Sequence, residues 1–155
     1  MGFNQRKIKG NETELSVWKR YGYEYQLISQ DNEDYPVPYE LTQIKDYKKH
    51  KTPDFYFKVC DTYFDVKSSL NLIKRNDIQW YYNMGLYSNK PVYIITRGKN
   101  GWEVLDVMHL QDNILTDVEW IPKTTGDDGI NSEHIWLKDY PFISELLNPF
   151  ESLFT

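Results

Sequence analysis

One cysteine, Cys60, is present in 155 residues, so no intramolecular disulfide can brace this chain and a reducing compartment is expected. No apolar run approaches the roughly 18 residues a membrane span needs, and no apolar stretch follows Met1-Gly2-Phe3-Asn4-Gln5-Arg6-Lys7, so neither a span nor a secretory signal is expected. His50, His109 and His134 are not at metal-ligand spacing, which argues against zinc. Ser68-Ser69 has no paired histidine pattern, so a serine nucleophile is not expected. Internal repeats and low-complexity tracts are missing too. The expectation is a soluble, cytoplasmic protein.

What is present is a well-mixed, aromatic-rich sequence, with 16% Phe, Trp and Tyr, enough for a packed core. A single domain over residues 1–155 is expected, with a core at about 9–110 and residues 111–155 as its C-terminal extension. The net charge of −5 is unevenly spread: residues 1–75 hold 13 Lys and Arg against 11 Asp and Glu, residues 76–155 only 5 against 12. Basic residues gather at Arg6-Lys7-Lys9, Lys19-Arg20, Lys45-Lys48-Lys49-Lys51 and Lys74-Arg75. Local patches attract phosphates, so the acidic total does not veto a polyanionic substrate. A composition rich in Lys, Asn, Tyr and Ile hints at an AT-rich, phage-encoded origin.

Asn11 and Glu14 have capping-box spacing, and Leu15, Val17, Trp18 and Tyr21 give a helix face ending at Gly22. Tyr23–Ile28 reads as a strand, Ser29–Pro38 as a loop and Tyr39–Ile44 as a short strand. Two strands follow, Asp54–Val59 and Tyr63–Ser68, joined by a turn at Cys60-Asp61-Thr62. Leu72–Leu86 reads as a helix stopped by Gly85 and Ser88-Asn89, with Ile73, Trp80, Tyr81, Met84 and Asp77 distributed around it. Pro91–Thr96 and Trp102–Met108 read as strands joined through Gly98-Lys99-Asn100-Gly101. Thr124–Asn131 reads as a loop and Tyr140–Phe150 as a short helix. This order implies an α/β sandwich around a small mixed sheet.

The chemistry concentrates in Pro53-Asp54 and Asp65-Val66-Lys67. Side chains alternate faces along a strand, so Asp65 and Lys67 project together, and pairing of the two strands brings Asp54 toward Asp65. Two carboxylates and a lysine suit a hard divalent cation beside an activated water. The plainer readings are a turn for Pro53-Asp54 and a surface ion pair for Asp65 and Lys67, but strand interiors are depleted in Asp. Glu12 and Glu14 fall on different helix faces, since two residues turn about 200°; either could add a third carboxylate, or simply favour a helix N-terminus. Gln79 reads first as a polar residue on an amphipathic helix, with phosphate or metal-bound water as its functional alternative, and Trp80, Tyr81 and Tyr82 as packing residues.

The pattern P-D, spacer, D-x-K resembles the PD-(D/E)xK nuclease signature. The segment Lys9-Gly10-Asn11-Glu12-Thr13-Glu14-Leu15 through Tyr21-Gly22-Tyr23 is similar to the opening helix of archaeal Holliday-junction resolvases and phage junction-resolving endonucleases. The resemblance covers about residues 9–96, and it implies a restriction-endonuclease-like fold with an αβββαβ core and a central mixed β-sheet flanked by helices. It further implies a Mg²⁺- or Mn²⁺-dependent DNA endonuclease with Asp54, Asp65 and the Val66 carbonyl at the metal. Glu12 is the best match to the helix glutamate, Glu14 its fallback, and Lys67 the water-positioning lysine. Lys48, Lys49, Lys51, Lys74, Arg75 and Gln79 would contact DNA, and symmetrical junction cutting implies a homodimer acting in DNA recombination. The Q-x-x-x-Y pattern of the exonuclease branch is not reproduced, since Gln79 is followed by Tyr82. The alternatives are a non-cleaving nuclease-fold binding module and a restriction-type or exonucleolytic enzyme.

Overall fold

The computed structural model describes residues 3–44, 51–70, 73–98, 101–113, 121–124, 131–135 and 143–154. The chain opens with a long helix, α1 (Phe3–Tyr25), followed by β1 (Leu27–Ser29) and a helical turn, α2 (Tyr39–Thr42). A hairpin of β2 (Phe55–Phe57) and β3 (Thr62–Lys67) comes next, then β4 (Ile73–Lys74), α3 (Arg75–Ser88), β5 (Val92–Gly98), β6 (Gly101–Asp106) and α4 (Val107–Asn113). The rest comprises β7 (Ile121–Thr124), β8 (Asn131–Ile135), α5 (Ile143–Leu146), β9 (Leu147–Pro149) and a 3₁₀ turn over Phe150–Phe154. The result is an α/β architecture: a six-stranded mixed sheet ordered β1-β2-β3-β5-β6-β9, flanked by helices, with a separate three-stranded sheet ordered β4-β8-β7. Among the described strands only β3 and β5 run parallel, and α3 lies on the crossover between them, as parallel strands require. Among the described residues no helix is long and apolar enough to cross a membrane.

Period-two alternation splits the core into two layers. Tyr63, Ile94 and Leu105 turn toward Ile78, Tyr81 and Met84 of α3 and Val107 and Leu110 of α4. Their strand neighbours Phe64, Ile95 and Val104 turn the other way, toward Val17 and Tyr21 of α1 and Phe150 of the C-terminal turn. Phe57, Phe64 and Phe150 are fully buried there, each burial contributing about 1.5–3 kcal/mol. Phe150 rests 4.0 Å from Tyr21 and 5.5 Å from Phe57, ring centroid to ring centroid, so the chain's end clamps α1 to the sheet.

Several boundaries differ from the sequence expectation, each for a physical reason. The first helix begins well before Asn11, and its polar residues are accommodated inside it: the hydroxyls of Thr13 and Ser16 donate to the carbonyls of Lys9 and Glu12, both at 2.8 Å. It also runs past Gly22 through Tyr23–Tyr25 and stops at Gln26, whose φ of 52° is left-handed. The expected strand at Tyr23–Ile28 therefore shrinks to Leu27–Ser29. Tyr39–Thr42 is helical, not extended, and buries Leu41 against the α3 layer.

Gly85 does not stop α3; Asn89 does, with φ 55°, its N–H bonding to the Gly85 carbonyl. Gly85 instead serves close packing, since a Cβ there would lie 2.7 Å from the Met108 sulfur. Ile73 and Lys74, expected in the helix, form β4. Tyr140–Phe150 is not one helix, because residues from Leu147 add an edge strand to β6. Lys48 and Lys49, together with residues 71–72, 99–100 and 125–130, lie outside the described residues.

Candidate active site

Asp54 is placed by the hairpin register. Phe55 pairs with Phe64 and Tyr56 with Tyr63, so one further step sets Asp54 opposite Asp65. Asp54 Oδ2 accepts the Val66 N–H at 2.8 Å, which ties the acid to the strand carrying the other two motif residues. The approach to Asp54 is braced as well. The Gln30 N–H donates to the Asp54 carbonyl at 3.1 Å, the Thr52 hydroxyl to Gln30 Oε1 at 2.8 Å, and the Tyr35 hydroxyl to the Pro53 carbonyl at 2.8 Å. The Pro53-Asp54 pair thus occupies a pinned segment, which a free surface turn would not need.

Asp65 lies in the middle of the sheet and is only 2% exposed. Its Oδ2 is buried with no hydrogen bond; Lys67 Nζ stands 3.3 Å away as an ion-pair partner. The Tyr81 hydroxyl hydrogen-bonds the same carboxylate, and burial, followed by the charges of Asp65, Asp77 and Asp54, pushes the Tyr81 pKa far up. Lys67 is shared, its amine also lying 3.7 Å from Asp77, while Lys51, exposed at the rim, reaches Asp77 at 3.7 Å. The Asp65 carboxylate first, then Asp77 and Asp54, raises the Lys67 pKa against the opposing effect of burial, so the ammonium stays charged.

The helix glutamate in this site is Glu14. It hydrogen-bonds Asp54 and feels the charges of Asp65 and Lys67; burial first, then Asp65, raises its pKa. Glu12 is exposed and lines a different cleft, so its expected role is corrected. The reason is helical phase. Glu14, Val17 and Tyr21 fall on one stripe at i, i+3 and i+7, and Val17 and Tyr21 are the residues the core takes up. Glu12, two residues away, is rotated off that stripe.

Asp54 itself is pushed well above the ordinary carboxylate range, by burial first and then by Asp65 and Glu14, with the Val66 N–H pulling the other way. A cleft of about 410 Å³ collects Glu14, Lys51, Asp54, Asp65, Lys67 and Tyr81. Lys74 and Arg75 are not among its lining residues, and Gln79 is exposed with its side-chain amide on Asn83 Oδ1 at 3.2 Å. Asp77 is the residue sequence reading underused. Its signal was the stripe Asp77, Tyr81, Met84, Gly85, an acid on the buried face of a helix.

Three carboxyls, one half-buried amine and a buried phenol can bind a cation, hold a phosphate against the amine, or simply form a charge network. Among the described residues no three His, Cys, Asp or Glu are already arranged around a common metal position. No protein-family model, curated protein or solved structure matches this chain.

Proposed function

We propose that the chain is a divalent-cation-dependent phosphodiester hydrolase acting on DNA, with Asp54, Asp65 and Glu14 as its carboxylates and Lys67 beside them. The observation that carries this reading is the buried Asp65 Oδ2, without a hydrogen bond, in a cleft where two more carboxyls crowd it. A buried carboxylate oxygen met by one amine at 3.3 Å and by no hydrogen bond is only partly compensated, and neighbouring carboxylates repel once ionised. A hard cation relieves both, and the all-oxygen donor set, with the Val66 carbonyl available in addition, suits Mg²⁺ or Mn²⁺. Such an ion supplies Lewis-acid stabilisation of the phosphate.

The chain's own groups do the rest. Lys67, held charged by Asp65 and aimed by Asp77, orients the attacking water and stabilises negative charge on the phosphate oxygens. Tyr81 and the Val66 N–H keep the two aspartates in place. Lys51 at the rim meets a flanking phosphate. With the short α2 and β4 as insertions, the order α1, β1, β2, β3, α3, β5 supports a restriction-endonuclease-like arrangement and the PD-(D/E)xK reading. Junction resolution by a homodimer belongs to the same proposal. Ile8, Leu15 and Trp18, exposed at i, i+7 and i+10 on α1, offer an apolar stripe for a second copy.

A second reading is a nuclease-fold module that binds without cutting. It is favoured by the way Lys67 already bridges Asp65 and Asp77, leaving a network partly satisfied by itself. One experiment separates the two: four-way junction, linear duplex, plasmid and single-stranded DNA, each incubated with Mg²⁺ and with chelator. Cleavage with Mg²⁺ alone, lost in Asp54→Ala, Asp65→Ala and Lys67→Ala proteins of unchanged circular dichroism, supports the hydrolase. A mobility shift without product under every condition rules it out.

A further inference from the structure

The active cleft has a neighbour on the opposite flank of α1, about 440 Å³ in volume and chemically unlike it. Its walls are Lys9, Glu12, Thr13 and Ser16 from α1, Ser68 beyond β3, and Arg97 and Trp102 from the β5–β6 hairpin. Where the first cleft gathers carboxylates, this one holds two cations, three hydroxyls, an indole and a single carboxylate. We propose that it binds one nucleotide of a single strand adjoining the scissile phosphate, with the phosphate on Lys9 and Arg97 and the base against Trp102. This rests on the nuclease reading for what lies next door, but its chemistry stands on its own residues.

Three observations place the nucleotide there. The two clefts adjoin at the carboxyl ends of the parallel strands: Ser68 directly follows Lys67, and Arg97 directly follows Thr96, the register partner of Lys67. The carboxyl ends of parallel strands are where open α/β sheets receive ligands. The Arg97 guanidinium stands 5.5 Å from the centre of the Trp102 ring, and the two residues are paired across the hairpin. The guanidinium lies over the half-buried ring as a cation–π pair, so a base stacks on the planar guanidinium–indole pair while the guanidinium edge donates to a phosphate. The hydroxyls of Thr13 and Ser16 spend their protons on helix carbonyls, so they face the cleft as acceptors for a base N–H. Glu12 limits the occupant, because a carboxylate on the wall disfavours several phosphates in a row and tolerates one phosphate beside a base.

The test uses the intact protein in chelator, so that binding is read without cleavage. Fluorescence anisotropy with labelled dT12 and rU12 gives the affinity and its salt dependence, the two oligomers distinguishing DNA from RNA. Arg97 is exposed, so Arg97→Gln should fold. It is expected to weaken binding about fivefold or more and to make the salt dependence shallower by roughly one phosphate contact. Trp102→Leu should weaken binding by about five- to fiftyfold and remove part of the tryptophan quenching seen on oligonucleotide addition. Should the wild-type enzyme cleave DNA while Arg97→Gln binds with unchanged affinity and salt slope, the cleft assignment is wrong and the hydrolase stands. A wild type that never cleaves, with binding still lost in Arg97→Gln, leaves this cleft as the strand site and removes the hydrolase. If wild-type protein binds neither oligomer, the cleft proposal is overturned.

Discussion

The two flanks of α1 carry opposite chemistry from the same turns of helix. On one side Glu14 joins Asp54, Asp65 and Lys67, in a cleft whose charges face one another at close range. On the other, two residues earlier, Glu12 stands among Lys9, Arg97 and Trp102, open to solvent. The acidic flank, with Asp65 buried and Glu14, Asp54 and Lys67 half-buried, is braced by backbone hydrogen bonds and costly in electrostatic terms; the other flank is more exposed and cheap. Costly arrangements at such sites are retained where chemistry needs them, while an exposed basic cleft needs only to attract and position.

The strongest way to break this contrast is by activity. Asp65→Asn, Asp54→Asn, Glu14→Gln and Lys67→Ala should each lower DNA cleavage by about a thousandfold or more, within the range seen for groups acting at the transition state. A Glu14→Gln enzyme that cuts normally would exchange the roles given to the two glutamates. Next in size is Phe150→Ala, which empties the clamp between α1 and the sheet. It should cost about 3–5 kcal/mol in urea unfolding, and a loss below 1 kcal/mol would show that α1 is positioned by something else.

A subtler test uses stability against pH. Burial, and after it the charges of Asp65 and Glu14, raise the Asp54 pKa in the folded protein above the ordinary carboxylate value. The native state therefore holds this proton more tightly than the unfolded chain does. Ionising Asp54 costs stability from the ordinary carboxylate range upward, a penalty complete once pH passes the folded value. Asp54→Asn keeps an oxygen for the Val66 N–H and cannot ionise. In chelator, Asp54→Asn should thus melt above wild type at neutral pH, by about 1 kcal/mol, the advantage shrinking as pH falls toward 4. A difference that grows on acidification would reverse the assigned sign. The smallest effect is expected at Glu12: Glu12→Gln should tighten oligonucleotide binding by roughly twofold, through loss of one repulsive charge.

The hairpin that carries the site was legible in advance because everything about it is local. Alternation along Tyr63–Lys67 put Asp65 and Lys67 on one face, and the short turn at Asp61 dictated the register that sets Asp54 opposite Asp65. The β5–β6 pairing was readable for the same reason. Helix ends fared worse, because Asn11 starts a helix and Gly85 stops one only when neighbours allow it. Here Thr13 and Ser16 satisfy their hydroxyls within the helix, and Met108 leaves no room for a Cβ at position 85.

Local rules thus sufficed for which residues share a strand face and which acids can meet across a turn, since periods and registers act over a few residues. Which helix face turns inward is a different question, because it depends on partners far along the chain. Glu14 enters the site because Val17 and Tyr21 are drawn under Phe150, some 130 residues away, and Asp77 joins because α3 packs over Tyr63 and Ile94. Burial of apolar surface between distant segments chose those faces, and the charges followed.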